Sequence, residues 1–414
     1  MTDIMRIAHF TNTYKPNING VARSVSTFRK GLSRLGHHVY VFAQEAPHDY
    51  EETEPYIFRY LGVNVPQFNY SVTVPRSHTF NKILPILQPH VIHSNHPIAL
   101  GDVAAKRAKK LDLPLVFTFH TSYVEYADEY TAAYVPWSQP FVENVIVDGL
   151  VRYLNRCQHI VTPSDSVKQG LMEFAGLTDQ VTTIPTGIDQ APYQQADGRA
   201  VRERYNWAQE KVLVSVGRLA EEKNVKTLLS AVAQVMQQND DVRLLLVGDG
   251  PQRSELEKYA GKLGIAEKVK FTGRIPFDAV PAHLKAGDIF CFASITETQG
   301  LVTMEAMAAG LPVVAVDATG TGDAVDNGVE GLLTENSSEA LSQAIQKVLD
   351  DPGLLNQLKS NAVKKAKSFD MMVQAKKMVT VYQQAIADKA ASRRIRIDKS
   401  LVKAKLKAHR QANI

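Results

Sequence analysis

At 414 residues, the chain is too long for one ordinary hydrophobic core and suits two domains of common size. Its 44% hydrophobic and 22% charged residues match a soluble globular protein; no apolar run is long enough to cross a bilayer, and Met1 to Phe10 has no signal-peptide pattern. The net charge of +4 is unevenly spread: from Lys389 onward there are nine Lys or Arg against one acid, Asp398, so this tail carries +8 and the rest −4.

In chain order, the first half alternates short β-rich runs with helix-length segments. The strands are expected at Arg6–Thr11, Val39–Ala43, Val91–Ser94, Leu115–His120, His159–Thr162 and Val181–Ile184. Helices are expected at Val21–Leu35, Ala99–Leu111, Phe141–Arg156 and Ser164–Ala175. The second half repeats the pattern, with strands at Val212–Val216, Arg243–Val247, Val269–Thr272, Ile289–Ala293 and Val313–Val316. Its helices are expected at Val225–Gln238, Gln252–Leu263, Ala279–Lys285 and Leu301–Ala309. This alternation predicts an α/β protein with two doubly wound, Rossmann-like parallel-sheet domains. The expected division is 1–185, a linker over 186–210 rich in Pro, Gly and polar residues, 211–368, a last helix over 369–388, and the basic tail 389–414. Ligands of such sheets bind at the carboxyl ends of the strands, here in a cleft expected between the domains.

The turn after the first strand, Asn12 to Gly20, lacks Gly-x-Gly-x-x-Gly spacing, which argues against a simple dinucleotide dehydrogenase. No Walker-type loop occurs, and Gly248-Asp249-Gly250 is by itself only a tight turn. Cys157 and Cys291 have no metal-like spacing; Cys291, within Ile289-Phe290-Cys291-Phe292, reads as a buried thiol, and a cytoplasmic location is the expectation.

The most informative segment runs from Ser294 to Val314. It follows a buried strand, turns through Gly300, forms a short helix and stops at Gly310-Leu311-Pro312. Backbone N–H groups at Gly300, Leu301 and Val302, with the helix dipole behind them, favour a phosphate. Glu297 precedes the helix and Glu305 lies in its second turn, so a carboxylate falls on each side of the anion site. A sugar and a ribose flanking a diphosphate each need such acceptors. The plainer alternative makes Glu305 a surface helix residue and Glu297 a loop charge.

The Glu-x7-Glu pattern within Thr296-Glu297-Thr298-Gln299-Gly300 and Glu305 to Val314 resembles the signature of retaining GT-B glycosyltransferases of the group-1 (family four) type. The resemblance extends to Phe10 to Pro16 with Asn19-Gly20-Val21, to Phe117 to Thr121, to Ile184 to Asp189, and to Val216 to Leu219 with Glu222-Lys223-Asn224. It implies a hexosyltransferase using a nucleotide sugar, expected to be UDP-glucose, with the last helix crossing back to the first domain. It also implies same-face substitution through an oxocarbenium-like state shielded by the leaving diphosphate. Departure of a nucleoside diphosphate leaves charge on its β-phosphate, which needs a positive partner. No Asp-x-Asp metal clamp occurs, so a metal-independent reaction is expected; the resemblance gives the stabilising role to Arg218 and Lys223. It implies that Gly20 lets the backbone approach phosphate, that His120 contacts the donor sugar near the reacting carbon, that Glu297 binds sugar hydroxyls and Glu305 the ribose; by sequence alone Gly20 could equally be a simple turn glycine and His120 a structural histidine. His93 and His96 make a weak zinc site and are expected to shape the acceptor side instead.

Within the family the motifs look most like bacterial enzymes that glucosylate diacylglycerol, which implies a lipid acceptor and peripheral contact with the inner face of the cell membrane. The basic helix end Ala104 to Lys110 could dock on anionic lipid or be an ordinary solvated helix end. On a helical wheel Ile395, Val402 and Leu406 cluster, but Ile397 and Leu401 fall elsewhere, so an amphipathic tail helix is not established and a mobile basic extension is equally compatible. The tail has no aromatic residue to stack on bases, and no nucleic-acid partner is expected. Two alternatives keep the fold: a soluble sugar or small-metabolite acceptor, or a nucleotide-sugar-binding protein without turnover.

Overall fold

The apolar runs separated by helices assemble, in a computed structural model, into two parallel sheets and one small hairpin. The structure describes residues 3–17, 19–47, 49–65, 70–73, 78–120, 139–177 and 179–412. Two compact units result: unit 1 is Met1–Gly187 with Met371–Ile414, and unit 2 is Ile188–Asp370.

Unit 1 contains β1 (Arg6–Thr11), β2 (His38–Gln44), β3 (Ile57–Tyr60), β4 (Gly62–Val65), β5 (Tyr70–Thr73), β6 (Val91–Ser94), β7 (Leu115–Thr118), β8 (His159–Thr162) and β9 (Val181–Thr183). Its main sheet has the order β3-β2-β1-β6-β7-β8-β9, every neighbouring pair parallel, while β4 and β5 form the antiparallel hairpin. Side chains alternate between the two faces. Ala8 and Phe10 pack with Phe42, Ile92 and Phe117 on one side. Ile7 packs with Val41, Val116 and Val161 on the other, beneath Val25, Phe28 and Leu32 of the helix Gly20–Arg34. Burial on both faces explains why these strands read as unbroken apolar runs.

The last long helix, Met371–Ala390, crosses back to cover that second face of unit 1. It buries Ala375, Met378, Val379, Val381, Tyr382 and Ala385, each large side chain contributing about 1.5–3 kcal/mol.

Unit 2 contains β10 (Lys211–Val216), β11 (Val242–Val247), β12 (Val269–Phe271), β13 (Ile289–Phe292), β14 (Val313–Val316) and β15 (Gly331–Thr334), in the order β12-β11-β10-β13-β14-β15. The chain enters and leaves unit 2 side by side, where Ile188 N–H donates to Phe369 O at 2.8 Å. In both sheets the strand order reverses at one point, between β1 and β6 and between β10 and β13. Loops leaving such a switch point diverge and open a crevice at the carboxyl edge.

Two segments differ from the sequence reading. The expected linker 186–210 carries the helices Ala191–Gln195 and Arg199–Arg204, and Tyr193 and Trp207 are buried in the core of unit 2. The tail is not a free extension: Ile395, Ile397 and Val402 are buried in the core of unit 1. Ile395 N–H donates to Cys157 O at 3.0 Å, and Asn155 bonds both the N–H and the C=O of Ile397. Residues 394–398 are non-helical with Ile395 and Ile397 inward and Arg394 and Arg396 outward; a helix, Lys399–Ala412, begins only afterwards. A wheel drawn across both stretches could not show a clean face.

Candidate functional site

In unit 2 the loops after β10 and β13 leave the switch point together. Arg218 follows β10, is exposed, and makes no side-chain hydrogen bond or ion pair among the described residues. Its loop is held by Leu219 N–H donating to Asp249 O at 3.0 Å and Gln252 N–H to Leu219 O at 3.0 Å, so Gly248-Asp249-Gly250 is a brace rather than an isolated turn. Five residues on, Lys223 Nζ meets Glu297 Oε1 at 2.5 Å, with side chains 21% and 14% exposed. Ser294 Oγ and Ile295 N–H both donate to Glu222 O, tying the two loops together. Lys223 is therefore not a free cation: it shares its charge with Glu297, whereas Arg218 offers a charge that the fold leaves unspent.

Gly300 caps the helix Leu301–Ala308 in a left-handed conformation, φ +66°, which a β-carbon would strain. The N–H groups of Thr303 and Met304 turn back to Gly300 O, but those of Gly300, Leu301 and Val302 meet no acceptor among the described residues. Three donors at a helix start without an acceptor among the described residues have the geometry that suits an anion. Gly320 N–H donates to Glu297 O at 2.7 Å, fixing the loop before it. Glu305 is not a surface charge: it is 1% exposed, and Tyr193 OH donates to its Oε1 at 2.6 Å.

In unit 1 the loop from Thr11 to the helix Gly20–Arg34 ends at Asn19, whose Oδ1 accepts from Ala22 N–H at 2.9 Å. Gly20 is exposed, and a β-carbon there would meet no atom of the described residues within 4 Å. Packing among the described residues thus does not require glycine there. The loop is clamped by Glu54, which accepts from Tyr14 OH at 2.8 Å, pairs with Lys15 at 2.7 Å and with Arg29 at 3.1 Å. Although desolvation opposes it, the hydrogen bonds from Lys15 and Tyr14 hold the Glu54 carboxyl below its usual value.

His120 follows β7. Asn95 Nδ2 donates to Phe10 O at 3.2 Å, so Asn95 Oδ1 faces His120 Nε2 at 3.0 Å, which places the imidazole proton on Nε2 and leaves Nδ1 as an acceptor. Burial, with His96 and His9 adding, pushes His120 down to about 3, so it is neutral. His96, lowered by burial to about 4, accepts from Asn12 N–H at 3.1 Å and braces the β1 loop. His93 departs from expectation. It is 1% exposed, bonded to Tyr382 OH at 2.7 Å and Thr118 Oγ1 at 2.7 Å, while Tyr382 OH also meets His9 Nε2 at 3.1 Å. It is enclosed by the fold and joins the last helix to the sheet.

The structure thus places Arg218, Lys223, Glu297, Gly300, Leu301, Val302 and Glu305 around one carboxyl-edge switch point of unit 2, and Gly20 and His120 at the carboxyl edge of unit 1. Thr121 of the quoted motif lies outside the described residues. Tyr193 and Glu54 were missed, since each acts far along the chain from its partner and no local spacing marks it. Cys157 and Cys291 are both buried, and desolvation raises both thiols.

Comparison with known proteins follows the same division. The family described as Glycosyltransferase Family 4 matches residues 18–191, and that described as Glycosyl transferases group 1 matches residues 199–365. The alpha-monoglucosyldiacylglycerol synthase of Streptococcus pneumoniae is 32% identical over 322 residues, 75% of this chain and 71% of that protein. The protein of the same name from Acholeplasma laidlawii is 27% identical over 394 residues, 92% of this chain and 98% of that one. Among solved structures, Anabaena HepE in complex with UDP and glucose superposes with a TM-score of 0.71 at 23% identity, covering 94% of this chain and 100% of that one, which shows the shared GT-B fold.

Proposed function

From the premise that this chain belongs to the group 1 glycosyltransferases, we propose that it transfers glucose from UDP-glucose to a diacylglycerol-type lipid, with retention of configuration and without a divalent metal. The observation that carries the donor half is the unpaired charge of Arg218 in the loop after β10, with three N–H groups lacking an acceptor among the described residues at Gly300, Leu301 and Val302 after β13. These donors would stabilise the β-phosphate as the glycosidic bond breaks. Lys223 adds to that field once a phosphate competes with Glu297 for it. Glu297 would accept from sugar hydroxyls and Glu305 from the ribose. Gly20, open on its outer side, would admit a phosphate to the start of its helix. His120 is suited to the reacting carbon because it is neutral: positive charge builds there, and an imidazolium would oppose it.

The acceptor half is supported by the two synthases above, whose names state an α-glucosyl lipid product. UDP-glucose is itself α-linked, so an α product means retention. Among the described residues no helix is long and apolar enough to cross a membrane, so contact with the lipid would be peripheral.

The test is a matrix of UDP-, GDP- and ADP-hexoses against diacylglycerol in vesicles and against soluble sugars, read by mass spectrometry. A hexosyl-diacylglycerol formed from UDP-glucose, α by NMR, is the expected result. Transfer to soluble sugars alone would remove the lipid acceptor, and donor binding without hydrolysis or transfer would remove the enzymatic reading.

A further inference from the structure

A groove of about 1350 Å³ opens on unit 1 at the edge opposite its functional residues. It is lined where strands begin, by Met5 before β1, His90 before β6, Pro114 before β7 and Gln158 before β8. Gly20 and His120 follow the other ends of β1 and β7. Seven Lys or Arg line the groove against two acids.

Three of the cations are already paired: Lys389 with Asp112 at 2.8 Å, Arg156 with Asp102 at 3.4 Å and Arg393 with Asp388 at 2.6 Å. The other four, Lys106, Lys109, Arg394 and Arg396, are exposed and make no side-chain hydrogen bond or ion pair among the described residues. Lys109 stands in the last turn of the helix Leu100–Lys110, where cations suit the dipole, with Lys106 just before that turn. That explanation does not reach Arg394 and Arg396. They are held outward because Ile395 and Ile397 are buried and hydrogen-bonded to the 155–157 loop, and the following helix is anchored by Lys399 to Asp148 at 2.6 Å. The tail is thus a strap that holds two guanidinium groups at the mouth of a groove already carrying two lysines.

We propose that this groove binds a soluble anion carrying two or more phosphoryl groups. Guanidinium and ammonium groups that line one groove from two elements can meet several phosphate oxygens at once. The concave shape suits a discrete molecule better than a bilayer. Position argues the same way: β1 has six residues and spans about 20 Å, so a membrane seated on the groove would hold its lipids that far from Gly20 and His120. Position counts only if Gly20 and His120 serve the lipid acceptor proposed above; charge and shape do not depend on it.

Calorimetric titration of the full chain with inorganic tripolyphosphate tests it at about 0.15 M salt. The wild type should show a site that the pair of substitutions Arg394→Ser and Arg396→Ser weakens by about tenfold or more. Lys106→Ser with Lys109→Ser, on a different element, should weaken the same site, which separates loss of charge from loosening of the strap. Circular dichroism checks that both variants remain folded. Equal binding by wild type and both variants would overturn the proposal. So would variants that bind tripolyphosphate normally but no longer sediment with phosphatidylglycerol vesicles, since the surface would then be a membrane contact.

Discussion

At matching positions of the two sheets, polar groups are held in opposite states. Beside β10 and β13, Lys223 and Glu297 meet as ions at 2.5 Å and Arg218 stands exposed. Beside β1, β6 and β7, His120 and Asn95 meet at 3.0 Å as neutral partners, over a buried set in which Tyr382 OH joins His93 to His9. At these strand ends unit 2 thus presents charged groups and unit 1 neutral hydrogen-bonding ones. Of the twelve histidines in the chain, only His283 lies in unit 2. One fold can serve both tasks because the switch point fixes where loops converge, while the loop residues decide what they carry.

The comparison is sharpened most by Arg218→Ala. The side chain makes no hydrogen bond or ion pair among the described residues, so the melting temperature should stay unchanged while turnover falls about 10²–10³-fold, as for loss of one transition-state donor. A variant with full turnover would show that unit 2 does not use this charge.

Acid should divide the units next. Burial lowers His9 and His120 from 6.5 to about 3 and His96 to about 4, so an unfolded chain takes up these protons first as pH falls. Unit 1 should keep full stability above about pH 6.5 and lose it progressively toward pH 3–4, at about 1.4 kcal/mol per pH unit for each such histidine. Hydrogen exchange between pH 7 and 5.5, corrected for the intrinsic exchange rate, should show β1, β6 and β7 opening before β10 and β13. Equal loss in both units would break the contrast.

Glu305→Gln keeps the volume and the bond from Tyr193 but removes the carboxylate charge. UDP affinity should fall about tenfold by calorimetry with unit 2 still folded, the size of one charge-assisted hydrogen bond. The smallest effect is expected for Tyr382→Phe, which takes one hydroxyl from two imidazoles and should cost about 1 kcal/mol of unit 1 stability in urea without changing UDP affinity.

Much of the fold was legible because strands buried on both faces leave continuous apolar runs, as at Val212–Val216 and Val313–Val316. The strand Gly331–Thr334 was missed: it opens with a glycine, where a β-carbon would meet Val313 O at 2.0 Å, and that close approach is a tertiary fact. The helices Ala191–Gln195 and Arg199–Arg204 are only 5 and 6 residues long, too short for an apolar period, so their segment read as linker although Tyr193 and Trp207 are core. In the site, the turn at Gly300 and the helix after it were visible as local pattern. The pairing of Lys223 with Glu297, 74 residues apart, was not, nor the burial of Glu305 under Tyr193. Such contacts follow from strand order, which residue spacing does not state.

The central claim is that Arg218, Lys223 and a helix start do at the departing diphosphate what a divalent ion does elsewhere. Its most direct test is the initial rate of UDP release from UDP-glucose, with diacylglycerol vesicles present, before and after addition of excess EDTA. An unchanged rate is the result expected here. A rate abolished by EDTA and restored by magnesium or manganese would contradict it.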